Sequence, residues 1–435
     1  MSDTTPHTPP VATEPKRFDW KAPTYVALIA KRRRNEVWLK AAGLVSITLA
    51  LGFLALMLLA LTFTGYKAFT QTHVTIDVAI SAEHVDAEDI FDSKWRKVMS
   101  DAVAQIFPDL DKAGLKAAGD ILSDGAQFMV RDAVIADPTL IGKVLTITVP
   151  VSDPFDQLNK GLVDRETPEA NRRVTDAQIA AFDKLAGEDR ISAPFSWGLF
   201  TNADSRFPEL AGLKGAFIGS AYLLLVCFAI ALPVGIGAAI YLEEFAPKNR
   251  MSDLIEVNIN NLAAVPSVVF GLLALSVFLN WFGMTRGAPL VGGMTLALMS
   301  LPTIIIATRA ALKAVPPSIR EAALGVGASK QQVVFHHVLP LAMPGVMTGT
   351  IIAMAGAIGE TAPLLLIGMN AFMTAAPATP FESATTLPTQ IFIWADSPER
   401  GFVSRTSAAI LVLLGILVMM NGLAIWLRRK FERRW

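Results

Sequence analysis

Apolar residues fall into six long runs, separated by polar stretches of very unequal length. The runs cover about Ala41–Thr64, Gly215–Tyr241, Leu262–Phe282, Leu290–Leu312, Leu341–Gly368 and Thr406–Leu427. Each reaches the roughly 18 residues a helix needs to cross a bilayer. The pattern predicts six membrane-spanning helices. Pro233 and Pro266 lie inside two of them, as membrane helices tolerate more readily than soluble ones. Between the second and third runs, Met251–Asn261 is amphipathic and is expected to lie along the inner surface. A short turn at Gly283–Pro289 joins the third run to the fourth. A proline-rich polar segment, Met369–Arg405, separates the last two.

The longest polar stretch, residues 67–210, is large enough to hold its own core. His73–Ile80 and Val144–Val149 alternate apolar and polar residues, as half-buried strands do. Asp89–Phe107 and Asp176–Ala186 carry apolar residues near helical spacing. This stretch is expected to be a small α+β module inserted into an otherwise all-α membrane protein.

Composition agrees with that class. Only 17% of residues are charged and 52% are hydrophobic, with a mean hydropathy of +0.45; a soluble chain carries nearer a quarter charged residues. The net charge of zero hides a split. Residues 67–210 hold 24 acidic against 15 basic side chains, so the remainder is basic. Basic flanks face the cytoplasm. That rule places Lys31–Arg34, Arg320, Lys330 and Arg428–Lys430 inside and residues 67–210 on the other side. Residues 1–40, with five prolines before Tyr25, are expected to be a disordered cytoplasmic tail, residues 41–64 the first span, and residues 428–435 a second basic tail. The basic cluster at Lys31–Arg34 abuts a span, which argues against nucleic acid. The acidic residues of 67–210 are scattered and read as a solvated face rather than a metal site. Cys227 is the single cysteine, so no intrachain disulfide and no Cys/His metal cluster is expected.

One polar interruption, residues 316–340, falls between the fourth and fifth runs. Pro316 and Pro317 favour the start of a helix. Glu321 sits where a carboxylate complements the helix dipole, and Ala322 and Ala323 are strong helix formers. Gly325 and Gly327 allow a bend. Ser329 can cap a second helix over Lys330–Val338 that stops at Pro340. A smooth, acid-headed helix suits insertion into a groove on a partner; an ordinary cytoplasmic loop is the plainer alternative.

Glu321-Ala322-Ala323, three residues, Gly327, nine residues, then His337-Val338-Leu339-Pro340 closely resembles the EAA loop of ABC importer permeases. His337 stands where that pattern has isoleucine. Ala231–Phe245, Asn261–Leu273, Gly359–Leu366 and Leu387–Phe392 resemble the PstA-type permeases of phosphate importers, over about residues 212–427. Residues 67–210 resemble the extra N-terminal region of longer members. The resemblance implies the type I ABC importer permease fold and import of phosphate through the lipid bilayer. It implies three kinds of partner: a second permease subunit (PstC-like), two ATPase subunits (PstB-like) and a periplasmic phosphate-binding protein (PstS-like). It also implies that Glu321, Ala322, Ala323, Gly327, His337, Leu339 and Pro340 dock on the ATPase. The family's basic residues late in the fourth span and before Gly-Glu-Thr in the fifth are not matched; Ile306-Ala-Thr-Arg309 and Gly356 stand there.

Glu360 is the one acid deep in an expected span, where an ionisable group is costly and marks a path, a gate or a packing hydrogen bond. Thr361 beside it and Arg309 are the other path candidates. Arg309 near the inner end of its run also fits an interface anchor. His336 and His337 are adjacent and do not face one another on a helix. No G-x-x-x-x-G-K-[ST] cradle is present; Gly325–Lys330 lacks its end. The chain is therefore expected to be neither an enzyme nor a cofactor carrier. Its energy would come from partner ATPases. The alternatives are a permease for another oxyanion, a proton-coupled transporter or a membrane sensor.

Overall fold

The computed structural model describes residues 23–86 and 88–431. The chain divides into two compact units, Met1–Ala60 and Leu61–Trp435. The first is occupied, in its described part, by helix α1, which runs Pro23–Gly65 and ends just inside the second unit. Residues 23–40 are therefore helical rather than a disordered tail. Pro23 occupies the first helical position, where its missing N–H costs nothing, and Ala, Leu, Lys and Arg follow without another proline. Residues 1–22 of the expected tail lie outside the described residues.

After a 3₁₀ turn at Tyr66–Phe69, β1 (His73–Ala79) leads into the inserted domain. Helices α2 (Trp95–Ile106), α3 (Lys112–Gly119) and α4 (Ala126–Ala136) follow. Next come β2 (Val144–Pro150), α5 (Asp153–Asn159), α6 (Asp176–Gly187), β3 (Ile191–Ser192) and the short α7 (Gly198–Thr201). The sheet order is β2-β1-β3, all antiparallel. Val74, Ile76 and Val78 alternate inward from β1 and join Trp95, Val98, Phe155 and Phe182 in one core. The helix expected from Asp89 begins only at Trp95. Asp89 and Asp86 instead accept bonds from nearby backbone amides in turns, the competition that keeps short acids out of helices.

The permease half begins with α8 (Lys214–Ile240), which ends in a π turn, Tyr241–Phe245. The amphipathic α9 (Arg250–Ala263) meets α10 (Ser267–Ala274) at a bend of 101°. Pro266 between them has no N–H and disfavours helical geometry in Val265. α10 continues as a π turn, Leu275–Trp281. α11 (Pro289–Ala314) precedes α12 (Pro317–Gly325) and the single turn α13 (Lys330–Gln332). α14 (Leu339–Gly359), α15 (Ala362–Leu366), α16 (Leu387–Ala395) and α17 (Gly401–Phe431) complete the order. Among the described residues five helices are long and apolar enough to span a membrane, and the bent α9–α10 pair permits a sixth.

Four expected boundaries move. Pro340 does not stop the helix before it: Lys330–Gly359 is one helical run. The π stretch Val333–Val338 lets the chain pass a residue that cannot bond four residues back. The fifth span ends at Gly359 rather than Gly368, because Glu360 is extended (φ −74°, ψ 128°) and Pro363 follows. The last helix starts at Gly401, not Thr406, and so carries Arg405 within it. It also takes in Arg428–Lys430, read above as tail; residues 432–435 lie outside the described residues.

Candidate functional site

The loop at residues 316–340 is built by local signals. Pro316 occupies the N-cap position of α12 without a side-chain capping bond, with Pro317 at its first position. Gly327 has φ +89° with open space where a side chain would sit, so its need is conformational. Ser329 forms a capping box: its hydroxyl accepts from Gln332 N (3.3 Å) while its own N–H donates to Gln332 Oε1 (2.8 Å). Ala323 is buried in a cluster with Ile240, Leu312, Val315, Val333, Val334 and Val338. Glu321, Ala322, Gly327 and His337 are exposed, and Leu339 and Pro340 are half-buried. Leu324, Val326 and Phe335 are also exposed, Val326 at 85%. The structure thus places most of the expected docking residues on the surface and uses Ala323 to seat the helix.

What holds α12 in place was not among the expected residues. Arg320 Nη2 donates to Glu244 Oε1 (2.7 Å) and to the Leu312 carbonyl (2.9 Å), and Nη1 donates to the Val315 carbonyl (2.8 Å). One guanidinium therefore ties α12 to the end of α11 and to the π turn that closes α8. A planar fork with five donors suits this task. Beside it, Arg309 bonds to Glu256 of α9 (2.8 Å) and to Glu243 (3.4 Å), and Lys313 lies 3.6 Å from Glu243. Arg309 is thus a cross-brace between α8, α9 and α11. The pair Glu243-Glu244 at the end of an apolar run was the legible signal; its partners were not.

Glu360 and Thr361 occupy the break between α14 and α15, both half-buried. The Glu360 carboxylate has no hydrogen bond or ion pair among the described residues. Arg309 lies at the other end of this constellation's elements, bound as described, so the three path candidates are not brought together.

A second charged cluster joins the inserted domain to the last span. Arg405, 4% exposed, donates from Nη1 to the Ala211 carbonyl (2.6 Å) and from Nη2 to Gln71 Oε1 (2.9 Å). Lys160 Nζ donates to Asp156 Oδ2 (2.5 Å), and Thr72 N to Asp156 Oδ1 (2.8 Å). Ser123 Oγ donates to Glu209 Oε1 (2.6 Å), and Gln157 Nε2 to Asp153 Oδ2 (2.7 Å). The Asp153 carboxylate packs against Gly401 at the start of α17, where a Cβ would collide with it. Burial raises the carboxyls of Asp153 and Glu209 above their usual range and lowers the Lys160 ammonium below its own. Trp394 Nε1 adds a bond to Asp204 (2.9 Å), whose carboxyl is likewise raised by burial.

Residues 231–435 match the family of binding-protein-dependent transport system inner membrane components, and residues 27–169 match a domain of unknown function, DUF3333. A probable ABC transporter permease protein, YqgI of Bacillus subtilis, is 29% identical over 249 residues, covering 53% of this chain and 83% of that protein. The phosphate transport system permease protein PstA of Yersinia pestis is 33% identical, covering 49% of this chain and 71% of that one. PstA 2 of Mycobacterium bovis is 36% identical, covering 52% and 74%. Among solved structures, the inward-facing MetNI methionine ABC transporter aligns with a TM-score of 0.42 at 17% identity, over 51% of this chain and 96% of that one.

The membrane half is therefore a permease of the ABC importer class, an all-α fold with an inserted α+β domain. The chain belongs to the PstA family of phosphate transport system permeases, in a long form with an extra N-terminal region.

Proposed function

We propose that the chain is the PstA-like subunit of an ATP-driven importer of inorganic phosphate. It forms the path with a second permease, receives phosphate from a periplasmic binding protein, and is driven by two ATPase subunits. Both termini and the loop at 316–340 face the cytoplasm, and residues 67–210 form a periplasmic domain. The observation that carries the coupling role is α12. Its acid-headed, small-residue surface (Glu321, Ala322) is exposed, while Ala323 and Arg320 fasten the helix to the ends of α8 and α11. A push on this helix is delivered to two spans at once. The substrate rests on the names of the relatives. The test is uptake by the complete complex in liposomes, offered phosphate, sulfate or molybdate. Phosphate uptake that needs ATP supports the reading; ATP-driven uptake of another oxyanion in its place sinks the substrate.

Glu360 serves as a gate residue rather than a phosphate ligand, because a carboxylate repels the anion. It sits in extended conformation at the break between α14 and α15, where a chain can pivot. Glu360→Gln is expected to lower uptake at least about tenfold, equivalent to roughly 1.4 kcal/mol in a rate-limiting barrier, with assembly unchanged. Uptake at the wild-type rate in an assembled complex removes this role.

A further inference from the structure

We infer that the inserted domain rests on the bilayer surface through an aromatic foot, Phe195 and Trp197, whose partner is the lipid interface. The segment that carries these residues is zipped onto the chain just past the first span. Ser196 N donates to the Phe69 carbonyl (2.8 Å), and Gln71 N to the Pro194 carbonyl (3.1 Å). A β-bridge pairs Thr70 with Phe195.

An unbroken row of rings results. Trp197 meets Phe195 edge-on (4.9 Å between centroids), Phe195 stacks on Phe69 and Phe200 (6.2 Å each), and Phe200 stacks on Phe217 of α8 (6.3 Å). Phe217 lies in the first turn of a span that begins at Lys214, and Tyr66 follows directly on α1, which ends at Gly65. The row therefore bridges the ends of two spans at the level where they leave the hydrocarbon.

Its far end is uncovered. Trp197 is 69% exposed, Tyr66 54% and Phe195 45%, although Leu199, two residues past Trp197, is fully buried. Buried neighbours hold the rings firmly while their outer faces stay exposed among the described residues. The Trp197 indole N–H has no partner among the described residues. Rigid rings with one apolar body and one free polar tip are the side chains that settle at the headgroup level of a bilayer. Continuity with the lipid-facing ends of α1 and α8 selects lipid as the occupant. β1 then leads away from this level, and its seven residues carry the chain roughly 20 Å outward at about 3.3 Å per residue.

The test uses the full chain, with Trp197→Cys in a Cys227→Ser background, labelled with an environment-sensitive fluorophore. It is reconstituted in phosphatidylethanolamine–phosphatidylglycerol vesicles. Val144→Cys, exposed at the opposite end of the β1–β2 pair, serves as the water-facing comparison. A spin label high on the lipid acyl chain should quench the probe at position 197 several-fold more strongly than the probe at 144, and more than a label deep in the chain. Aqueous iodide should quench only position 144. Iodide quenching at 197 without lipid quenching overturns the inference. So does protection from both quenchers, which would show a protein subunit covering the foot. Hydroxyl-radical footprinting of the unmutated protein in the same vesicles gives an independent reading: Trp197 protected by lipid supports the foot, and Trp197 oxidised as readily as in denaturant overturns it.

Discussion

Replacing Arg405 with leucine is expected to detach the inserted domain from the last span. The guanidinium is buried and is the direct donor to the Ala211 carbonyl and to Gln71 Oε1. It also balances Asp153, Asp156 and Glu209, which otherwise have only Lys160 as a buried cation. Removing one partner from such a network strands uncompensated charge and costs roughly 3–5 kcal/mol, a large share of the stability of an average domain. Lysine at this position keeps the charge but not the two-armed donor geometry, and should recover only part of the loss. Protease cleavage between residues 204 and 212, with a lowered midpoint of thermal unfolding, is the readout. An unchanged midpoint and an uncut junction would show that Arg405 contributes nothing there.

The same junction should loosen as pH rises. Asp153 and Glu209 have folded-state carboxyls raised by desolvation. Their contribution is fully present below the unfolded pKa and is lost as pH rises through the folded value. Arg405 and Asp156 face the pair, with Lys160 beside Asp156 and the Arg173–Glu399 pair at the rim. The Lys160 shift acts only towards the alkaline end. Glu209→Gln keeps the contact with Ser123 and removes one titrating group. It is expected to flatten the pH dependence of junction proteolysis; an unaltered slope would exclude Glu209 as a source.

Arg320→Leu is expected to uncouple the transporter without dismantling it. The side chain bonds to Glu244 and to the carbonyls of Leu312 and Val315, so its loss removes the polar ties of α12 to α8 and α11 and leaves the apolar packing of Ala323. Ala323 and the Ser329 capping box still hold the local helices. Uptake should fall at least about tenfold, a coupling loss of roughly 1.4 kcal/mol or more, while the ATPases still bind and still hydrolyse ATP. Loss of ATPase association instead would assign Arg320 to docking, and normal uptake would remove it from the coupling route.

Much of the frame was legible in local sequence. The alternation of Val74, Ile76 and Val78 marked β1, and Ser329 marked the start of the helix at Lys330. The boundaries that moved share a cause. Pro340 reads as a stop, yet a π stretch carries the helix through it. Gly359 reads as mid-span, yet Glu360 is extended. Proline narrows and glycine widens the local choice of backbone conformation, but whether a helix bends, widens or ends depends on what packs around it. Residues 24–40 follow all of the N-terminal prolines, and their Ala, Leu, Lys and Arg content favours the helix they form.

The sequence by itself determined the membrane class, the apolar runs, the acidic inserted stretch and the spacing from Glu321 to Pro340. Hydropathy and motif spacing are properties of contiguous residues, so they survive without coordinates. Only the tertiary structure decided the ion-pair partners. Arg320 meets Glu244 across 76 positions, and Arg309 meets Glu256 across 53. A charge carries no record in one dimension of which distant charge will neutralise it. That choice is made when helices pack and water is removed, because only then does leaving a charge unpaired become costly.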